Sequence, residues 1–343
     1  MALKFIRKED KDIQIGLDVG NSSVKACAVS HSGPKKQLIG FSAKPVGNNI
    51  IKAIKEAHAE LGITKNKVAT SISGAAVIVR YVEMPQMTDE ELASATRFEA
   101  EKVIPYNIND VEIDSAKIEN IDDKRMRVIM AAAKKDLIDS HLKMILEAAL
   151  EPTILDIDSF AVMNAFVNAG INRSEVCGLL NIGAKKSNLN IIKGEASYFS
   201  RDIEIGGNDI TKAFAETLSL DEKSAEQAKL EKLSKFSELL EEDRKTIEAP
   251  LGEIVLRLGD EVRLSFDFYE NHYAASVNKL YISGGTSRAD IISALLKEHL
   301  GRDVLKWDPL SNIEISQSLD KQPLDELKPQ LAVAVGLALR RPG

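Results

Sequence analysis

The sequence predicts an α/β protein built from two similar halves with a cleft between them. The chain has 343 residues, enough for two domains, and predicted strands alternate with predicted helices along it. Residues 17–23 in the first half resemble residues 180–186 in the second, with glycine at the same point. A second pair, residues 72–74 and 282–284, repeats Ile-Ser-Gly. Two β-rich halves with equivalent glycine turns indicate a duplicated α/β domain.

The composition indicates an ordinary folded protein with an acidic balance. Apolar residues make up 44% of the chain and charged residues 28%, and the formal net charge is −7. This charge argues against general binding to nucleic acid or to an anionic membrane. Aromatic residues are only 5% of the chain, which argues against stacking platforms for single strands. We therefore expect no nucleic-acid partner.

The number of cysteines and the hydropathy of the chain indicate the cellular compartment in which the protein folds. Cys27 and Cys177 are the two cysteines; they are too few for a disulfide framework or a zinc site, and we expect small core residues in a reducing cytoplasm. Residues 1–12 are charged and lack the apolar core of a signal peptide. No apolar stretch approaches the ~20 residues of a spanning helix. We expect no direct membrane insertion, so any membrane role would come through a partner.

In the first half, alternating apolar side chains predict strands, and helical spacing predicts one helix. Ile15, Leu17 and Val19 set the alternation of the first strand. The predicted elements are two strands over residues 13–30 joined by a tight polar turn, a helix over 50–61 that stops at Gly62, and strands over 68–71 and 75–82.

A middle segment of different character follows. Thr88 and Glu91 have the spacing of a capping box, which predicts a helix from there to about residue 103, before Pro105. Strands are predicted over 111–118 and 126–132, and an amphipathic helix over 134–150. His141 lies on the apolar face of that helix. No His or Cys lies at metal spacing from it, so we interpret it as a half-buried helix residue.

The second half repeats the strand-rich pattern and adds long helical stretches. Pro250 suits the first turn of a helix that runs to about Tyr273. The other predicted elements are a strand over 154–157, a helix to 167, a hairpin over 176–182 and 188–192, solvated helical faces over 219–244, a strand over 279–282 and a last helix over 329–340.

The two glycine hairpins predict an anion site. Glycine lets the backbone approach a ligand, and backbone amides and serine hydroxyls of the turn donate hydrogen bonds. Two such hairpins facing each other would clamp a polyphosphate. Asp18 precedes the first turn, where a carboxylate can hold Mg²⁺ through water. Lys25, Lys185 and Lys186 would supply positive charge. Each hairpin taken alone is also compatible with a plain turn.

Several other catalytic patterns are absent from the sequence. It contains no Walker P-loop, Rossmann fingerprint, nucleophile elbow or His-Glu-x-x-His pair. The five histidines are scattered along the chain. A histidine-based triad or metal cluster therefore has little support.

Four motifs resemble those of the actin-like ATPases, a superfamily that includes actin, the heat-shock seventies, sugar kinases and FtsA. Residues 15–25 resemble its phosphate 1 loop and residues 180–184 its phosphate 2 loop. Residues 282–286 resemble the adenosine motif. Residues 225–229 resemble the Glu-x-x-Lys element on which the superfamily rests ribose and adenine.

Within this superfamily the chain most resembles the PilM family of type IV pilus assembly, over residues 13–340. The Pro-flanked middle segment and the chain ending make the resemblance specific to that family. The stretches that carry it are residues 71–80, 83–85, 90–92, 98–101, 104–106, 199–203, 206–211 and 332–340.

The resemblance implies an actin-like, ribonuclease H-like duplicated ATPase fold. Its two lobes would surround a nucleotide cleft, and the first lobe would carry an FtsA-type 1C subdomain. The implied bounds are 13–82, 153–172 and 321–343 for subdomain 1A, 83–152 for 1C, 173–210 and 266–320 for 2A, and 211–265 for 2B.

The resemblance also implies ATP and Mg²⁺ as cofactors. Asp18 would hold the metal through water, and Asp18, Asn181 and Asp158 are the candidate catalytic residues. Many active members carry Asp where this chain has Asn181, and an amide is neither a charged metal partner nor a base. We therefore expect ATP binding and at most slow hydrolysis. Asp156 and Asp158 lie where the superfamily often places a water-positioning residue, although both also suit strand-end and helix-cap roles. The candidate nucleotide residues are Gly20, Asn21, Ser22, Ser23, Lys25, Gly183, Ala184, Lys185, Lys186, Ser187, Gly207, Glu226, Lys229, Gly284, Gly285 and Thr286.

The implied partner is the cytoplasmic N-terminal tail of a PilN-type bitopic membrane protein, bound in a groove between subdomains 1A and 1C. Contacts with pilus motor or platform proteins and self-association stay open. The protein would be cytoplasmic and peripheral to the inner membrane. An FtsA-like filament protein is an alternative, although this sequence ends without a linker and amphipathic helix. A small-molecule kinase is another, but no motif for a substrate base or sugar pocket is present.

Overall fold

A computed structural model of the protein describes residues 12–171 and 175–341, apart from the side chains of Ser234 and Ser237. The charged residues 1–11 and the chain ending at 342–343 lie outside the described part. Within it, no helix is both long and apolar enough to cross a bilayer.

The strands fall into three sheets. They are β1 (Ile13–Val19), β2 (Ser23–Ser30), β3 (Gln37–Pro45), β4 (Lys67–Ile72), β5 (Val77–Pro85), β6 (Val111–Asn120), β7 (Arg125–Lys134), β8 (Glu151–Ile157), β9 (Val176–Ile182), β10 (Ser187–Lys193), β11 (Ala196–Ile203), β12 (Lys279–Ser283), β13 (Asp303–Lys306) and β14 (Glu314–Ile315).

The helices cover the sheets and connect them. They are α1 (Ile50–Glu60), α2 (Asp89–Val103), α3 (Lys135–Glu147), α4 (Asp158–Ala169), α5 (Gly207–Leu218), α6 (Glu222–Ser234), α7 (Glu241–Tyr273), α8 (Asp290–Leu300), α9 (Lys321–Leu327) and α10 (Ala332–Ala338).

Two sheets share one topology, which confirms the predicted duplication. The first has the order β14-β3-β2-β1-β4-β8 and the second β11-β10-β9-β12-β13. In each, a hairpin continues into a third antiparallel strand, and two parallel strands follow on the other side. The echo extends to backbone conformation, because Gly74 after β4 has φ +117° and Gly284 after β12 has φ +91°.

The two lobes share an apolar core around α4 and α10. A Cβ on Gly336 would lie 1.7 Å from the carbonyl oxygen of Ala161, and one on Gly16 would lie 2.0 Å from that of Ala334. Glycine therefore lets α10 lie directly against α4 and β1. Phe166 of α4 contacts the ring of Tyr281 in the second sheet, with centroids 4.8 Å apart. Both cysteines are buried in this core, as predicted.

The third sheet is a small one in the order β5-β7-β6, and α2 covers one of its faces. The capping box of Thr88 and Glu91 is present and begins α2 where predicted. This sheet begins at Val77, so the expected boundary at residue 83 falls within β5. The helix α3 packs through Ile145 into the core of the first sheet, beside Ile15.

The helix α7 differs from the prediction. It begins at Glu241, and Pro250 lies inside it rather than in its first turn. Proline removes one helical hydrogen bond, but its neighbours Ile247 and Leu251 are buried in the core of the second lobe. Tertiary packing keeps the helix continuous through the proline. The patterns in the sequence did not predict β3, β11, β13, β14, α5, α8 or α9.

Candidate functional site

The first glycine turn lies between β1 and β2 at the cleft. The amide of Gly20 donates to the carbonyl oxygen of Ser23 at 3.2 Å. A Cβ on Gly20 would lie 2.9 Å both from that oxygen and from Nζ of Lys25. Asn21 and Ser22 form the exposed tip of the turn. Glycine therefore allows the tight turn that exposes these two residues.

Asp18 and Lys25 form the charged base of this hairpin. The antiparallel register places them opposite each other, and Nζ of Lys25 lies 3.2 Å from Oδ2 of Asp18. Burial raises the pKa of the Asp18 carboxyl, Lys25 opposes this shift, and the negative charge of Asp158 adds to it. Ionised Asp18 is thus incompletely compensated by the protein, and a bound cation would complete the compensation.

The two carboxylates around the β8–α4 junction point to different places. Oδ1 and Oδ2 of Asp158 accept hydrogen bonds from Ser71 at 2.6 Å and Ser73 at 2.5 Å. Asp156 instead pairs with Nε of Arg340 at 3.0 Å. Burial raises the pKa of Asp156, and Arg340 opposes that shift. Of the two carboxylates Asp156 and Asp158, only Asp158 has an electrostatic interaction with Asp18.

The second glycine turn lies between β9 and β10, against the N-terminus of α5. The amide of Gly183 donates to Lys186 at 3.0 Å, and the amide of Gly207 donates to the carbonyl of Gly183 at 2.9 Å. The carbonyl of Ala184 accepts from Asn208 at 2.7 Å. These bonds join the turn to the first turn of α5.

The side chains of the second turn point in different directions. Lys185 is exposed. Lys186 lies 3.4 Å from Asp202, which also accepts hydrogen bonds from the amide of Gly74 and the side chain of Asn188. Ser187 is fully buried and donates to the carbonyl of Ile205 at 2.7 Å, so its hydroxyl is engaged away from the cleft.

Asn181 lies at the end of β9 within an amide and hydroxyl network. Its Oδ1 accepts from Ser283 at 3.3 Å, and its Nδ2 donates to Asn188 at 3.4 Å. This placement links the second turn to the end of β12, where the Gly284-Gly285 loop begins.

The predicted adenosine residues come together on the second lobe. Nζ of Lys229 lies 2.6 Å from Oε2 of Glu226, 2.9 Å from Thr211 and 3.2 Å from the carbonyl of Gly207. Thr286 also reaches the second turn, since its hydroxyl lies 3.5 Å from the carbonyl of Gly183. Residues distant in sequence thus meet around the second glycine turn and the first turn of α5.

The Gly284-Gly285 loop has two different reasons for glycine. Gly284 has φ +91°, and a Cβ there would lie 2.3 Å from the carbonyl oxygen of Ile182. A Cβ on Gly285 would meet Gln330 at 3.6 Å, an ordinary contact. Gly284 is therefore needed for the backbone, whereas Gly285 leaves space beside the loop.

Sequence reasoning missed four residues that support the site: Ser71, Ser73, Asp202 and Thr211. All four lie in stretches that carried the family resemblance, but side-chain pairing between distant elements leaves no pattern in one sequence. Another unpredicted contact involves His141, which is buried rather than half-buried and lies 2.8 Å from the hydroxyl of Thr70. The hydroxyl of Thr70 also lies 3.1 Å from the carbonyl oxygen of Leu17. Burial lowers the pKa of His141.

The residues present fit a magnesium nucleotide better than an all-protein metal site. Among the described residues, no group of three His, Cys, Asp or Glu side chains is arranged to hold a metal ion. Mg²⁺ commonly takes one or two carboxylates and completes its shell with water and phosphate. Asp18, with its raised pKa, suits that role, and the glycine turns leave room for a backbone approach.

A separate groove lies between the small sheet and the first lobe. Its volume is about 650 Å³, and we define it by apolar residues of β7, α3, β8 and α4. They are Ile129, Ala131, Ile138, Leu155, Phe160 and Met163.

The Asp156–Arg340 pair lies on the lining of this groove. Tyr81 of β5 and Ser197 of β11 are hydrogen-bonded at 2.5 Å. The second lobe thus contributes to the groove, through residues at the start of β11.

Two duplicated α/β lobes with paired glycine turns at their cleft define an actin-like ATPase fold. Two solved structures of low identity support the fold alone. The ethanolamine utilization protein EutJ from Carboxydothermus hydrogenoformans is 15% identical with a TM-score of 0.53, over 95% of this chain and 89% of that one. MreB5 of Spiroplasma citri bound to ADP is 12% identical with a TM-score of 0.53, over 96% and 95%.

A stronger similarity identifies the family. The structure described as the PilM-PilN type IV pilus biogenesis complex is 27% identical with a TM-score of 0.84, over 96% of this chain and 99% of that one. The family profile described as type IV pilus assembly protein PilM matches residues 16–342. The chain therefore belongs to the PilM family of type IV pilus assembly proteins. Actin-like ATPases of this kind generally bind ATP with magnesium.

Proposed function

We propose that this chain is a nucleotide-binding scaffold of the type IV pilus assembly machinery. It would hold Mg-ATP between its two lobes. In the groove beside the small sheet it would hold the cytoplasmic N-terminal tail of a PilN-type membrane protein. The observation that carries the proposal is the apolar groove of about 650 Å³, in a chain whose fold matches a PilM-PilN complex over 96% of its length.

The nucleotide would lie between the two glycine turns. Amides of the turns and the ammonium of Lys25 would face the phosphates, and Asp18 would hold the metal through water. Glu226 and Lys229 would support the ribose and adenine beside the Gly284-Gly285 loop. The metal supplies charge neutralisation of the phosphates when it is bound.

Hydrolysis would be slow or absent in this arrangement. Asn181 offers an amide where a carboxylate would act as base or metal partner. Asp158 remains as a carboxylate near Asp18, and each of its oxygens accepts one hydrogen bond, from Ser71 and from Ser73. The nucleotide would therefore act mainly as a bound ligand that stabilises one arrangement of the lobes.

The partner would bind as an extended apolar peptide. The small sheet, β8 and α4 provide a floor and wall of apolar side chains. We further propose that subdomain 1C spans residues 77–134, because β5 belongs to its sheet and α3 packs on subdomain 1A. The chain would then be held at the inner face of the membrane by its partner. Contacts with motor or platform proteins and self-association remain predictions.

A binding experiment with one groove variant and one control tests the partner. Ala131→Arg places a long charged side chain on the groove floor, while Thr246→Arg places the same side chain on the exposed surface of α7. We expect fluorescence polarisation with a labelled tail peptide to show loss of binding of at least about tenfold for Ala131→Arg only. Equal binding by both variants would place the partner elsewhere.

Calorimetry tests the nucleotide separately. Wild-type protein titrated with ATP and Mg²⁺ should release or absorb heat with one site per chain. Its thermal midpoint should rise, because a ligand that binds only the folded state stabilises it. The absence of both responses would refute the cleft assignment without affecting the peptide result.

A further inference from the structure

A second cavity borders the strand that forms the open side of the groove. It has a volume of about 440 Å³ and lies between α2 and β6, where Leu92 and Thr96 face residues 113–117. The same residues of β6 also line the larger groove. The strand β6 therefore separates two cavities, one on each face of the small sheet.

The side chains of β6 alternate between these cavities. Ser115 faces α2, since its hydroxyl lies 2.5 Å from that of Thr96, and Ile113 packs in the core under α2. Asp114 and Ala116 are exposed and, by the two-residue period of a strand, lie on the groove face.

The outer edge of β6 is available for pairing. In the described part of the chain, β6 pairs with β7 on one side and with no strand on the other. The amide of Ser115 donates to Oδ1 of Asp114 at 2.8 Å, so it points away from β7. Because backbone groups alternate in an antiparallel ladder, residues 113, 115 and 117 direct their amides and carbonyls outward.

We propose that the tail binds by adding a fourth strand to β6. Its alternate side chains would enter the apolar groove and the second cavity in turn. This proposal rests on the proposed function. It adds backbone pairing between the tail and β6, contacts in the cavity between α2 and β6, and an alternating side-chain pattern in the tail. Strand addition provides affinity through main-chain bonds and specificity through pockets for alternate side chains.

The charge of the residues around the two cavities indicates what kind of tail would bind. Acidic residues outnumber basic ones around the two cavities: Asp89, Glu112, Asp114, Asp156 and Glu195 stand against Lys117 and Arg340. Cytoplasmic segments next to a membrane span are enriched in Lys and Arg. The ligand is therefore an extended segment with apolar residues at every second position and a basic flank.

The experiment blocks the edge without filling either cavity. Ser115→Pro removes an outward amide, and proline is tolerated in edge strands at such positions. Ser115→Ala is the matched control, because it removes the same hydroxyl but keeps the amide. The probe is a fluorescein-labelled synthetic peptide of the N-terminal tail of the PilN-type protein from the same organism, titrated onto the full chain.

We expect Ser115→Pro to weaken binding at least about tenfold, and Ser115→Ala less than about threefold. A second measurement does not depend on folding of the proline variant: wild-type protein is titrated with peptides N-methylated at single backbone positions. Weakening should recur at every second residue over the paired segment. Charge reversal of the peptide's basic flank should also weaken binding, more at low salt than at high salt.

The outcomes separate the two proposals. If the unmodified peptide binds but neither Ser115→Pro nor any N-methylation weakens it, strand addition is wrong and the groove assignment stands. Weakening by N-methylation without a two-residue period would also overturn strand addition. If the unmodified peptide does not bind wild-type protein, the proposed partner is wrong and strand addition falls with it.

Discussion

Asp18 has a cost to the free protein, and we have proposed a role for it in binding the metal of a nucleotide. Burial raises its pKa and Lys25 compensates only in part. The ionised form is therefore less favourable in the folded protein than in the unfolded chain. Such a residue is consistent with a position kept for a ligand rather than for stability.

Asp18→Asn should separate these two effects. We expect the variant to lose at least about tenfold in affinity for Mg-ATP, while its thermal midpoint without ligand is equal to or above that of wild type. The wild-type folded state favours the protonated carboxyl, so the advantage of Asn should be absent below about pH 4. It should appear as the pH rises through the raised pKa.

Asp156→Asn is the matched control, because it is also a buried carboxyl with a raised pKa but pairs with Arg340 at the groove. It should leave Mg-ATP affinity unchanged in calorimetry. Retention of full Mg-ATP affinity by Asp18→Asn would remove Asp18 from the site.

Asn181→Asp tests why turnover should be slow. The substitution restores a carboxylate at the second turn, and the hydrogen bond from Ser283 can be kept. We expect the slow ATP hydrolysis rate, measured as phosphate release, to rise by about tenfold. Asn181→Ala removes the same amide without adding a carboxylate. An Asp variant no faster than the Ala variant would contradict this explanation.

At the scale of elements, the loop after β12 contains two adjacent glycines in different backbone conformations. Gly284 needs its left-handed conformation and lies against the backbone of Ile182. Gly285 follows in an ordinary helical conformation with space beside it. Glycine thus occurs at these two adjacent positions for different physical reasons.

The two positions should respond differently to larger residues. Gly284→Ala should lower the free energy of unfolding by about 1–3 kcal/mol, because φ is strained and the Cβ meets backbone. Gly285→Val should keep most of the stability but weaken ATP binding by blocking the adenine side. Chemical denaturation and calorimetry on both variants check this, and a Gly285→Val protein with normal ATP affinity would move the adenine elsewhere.

For the whole molecule, Asp202 joins the lobes. It belongs to β11 of the second sheet, yet it accepts the amide of Gly74 in the first lobe as well as pairing with Lys186. Along with the apolar core around α4, this contact joins the segment after β4 to the second glycine turn. It lies beside the cleft, where the distance between lobes matters for a bound nucleotide.

Asp202→Ala should loosen this part of the interface. We expect hydrogen exchange of the amides in residues 73–78 to become several-fold faster, because the acceptor of the Gly74 amide is lost. Asp267→Ala, at an exposed position on α7, is the control and should leave this segment unchanged. Equal exchange in the Asp202 variant and wild type would mean that the contact does not hold the lobes.

The sequence by itself determined the duplicated sheets, the two glycine hairpins and the capped helix α2. These depend on local patterns: alternation, turn glycines and a capping box act within a few residues. Asp18, Gly20 and Gly183 could be placed for the same reason. The resemblance to the PilM family, carried by the middle segment and the chain ending, was confirmed by the family profile and by the structural match.

Only the tertiary structure decided what depends on distant neighbours. It extended α7 nine residues before Pro250, because burial of Ile247 and Leu251 outweighs one lost hydrogen bond. It buried the Ser187 hydroxyl, joined Asp202 to Gly74 and turned Asp156 away from Asp158. It also left the outer edge of β6 between two cavities. Such features arise where elements far apart in sequence meet, and a single sequence has no local pattern that records those meetings.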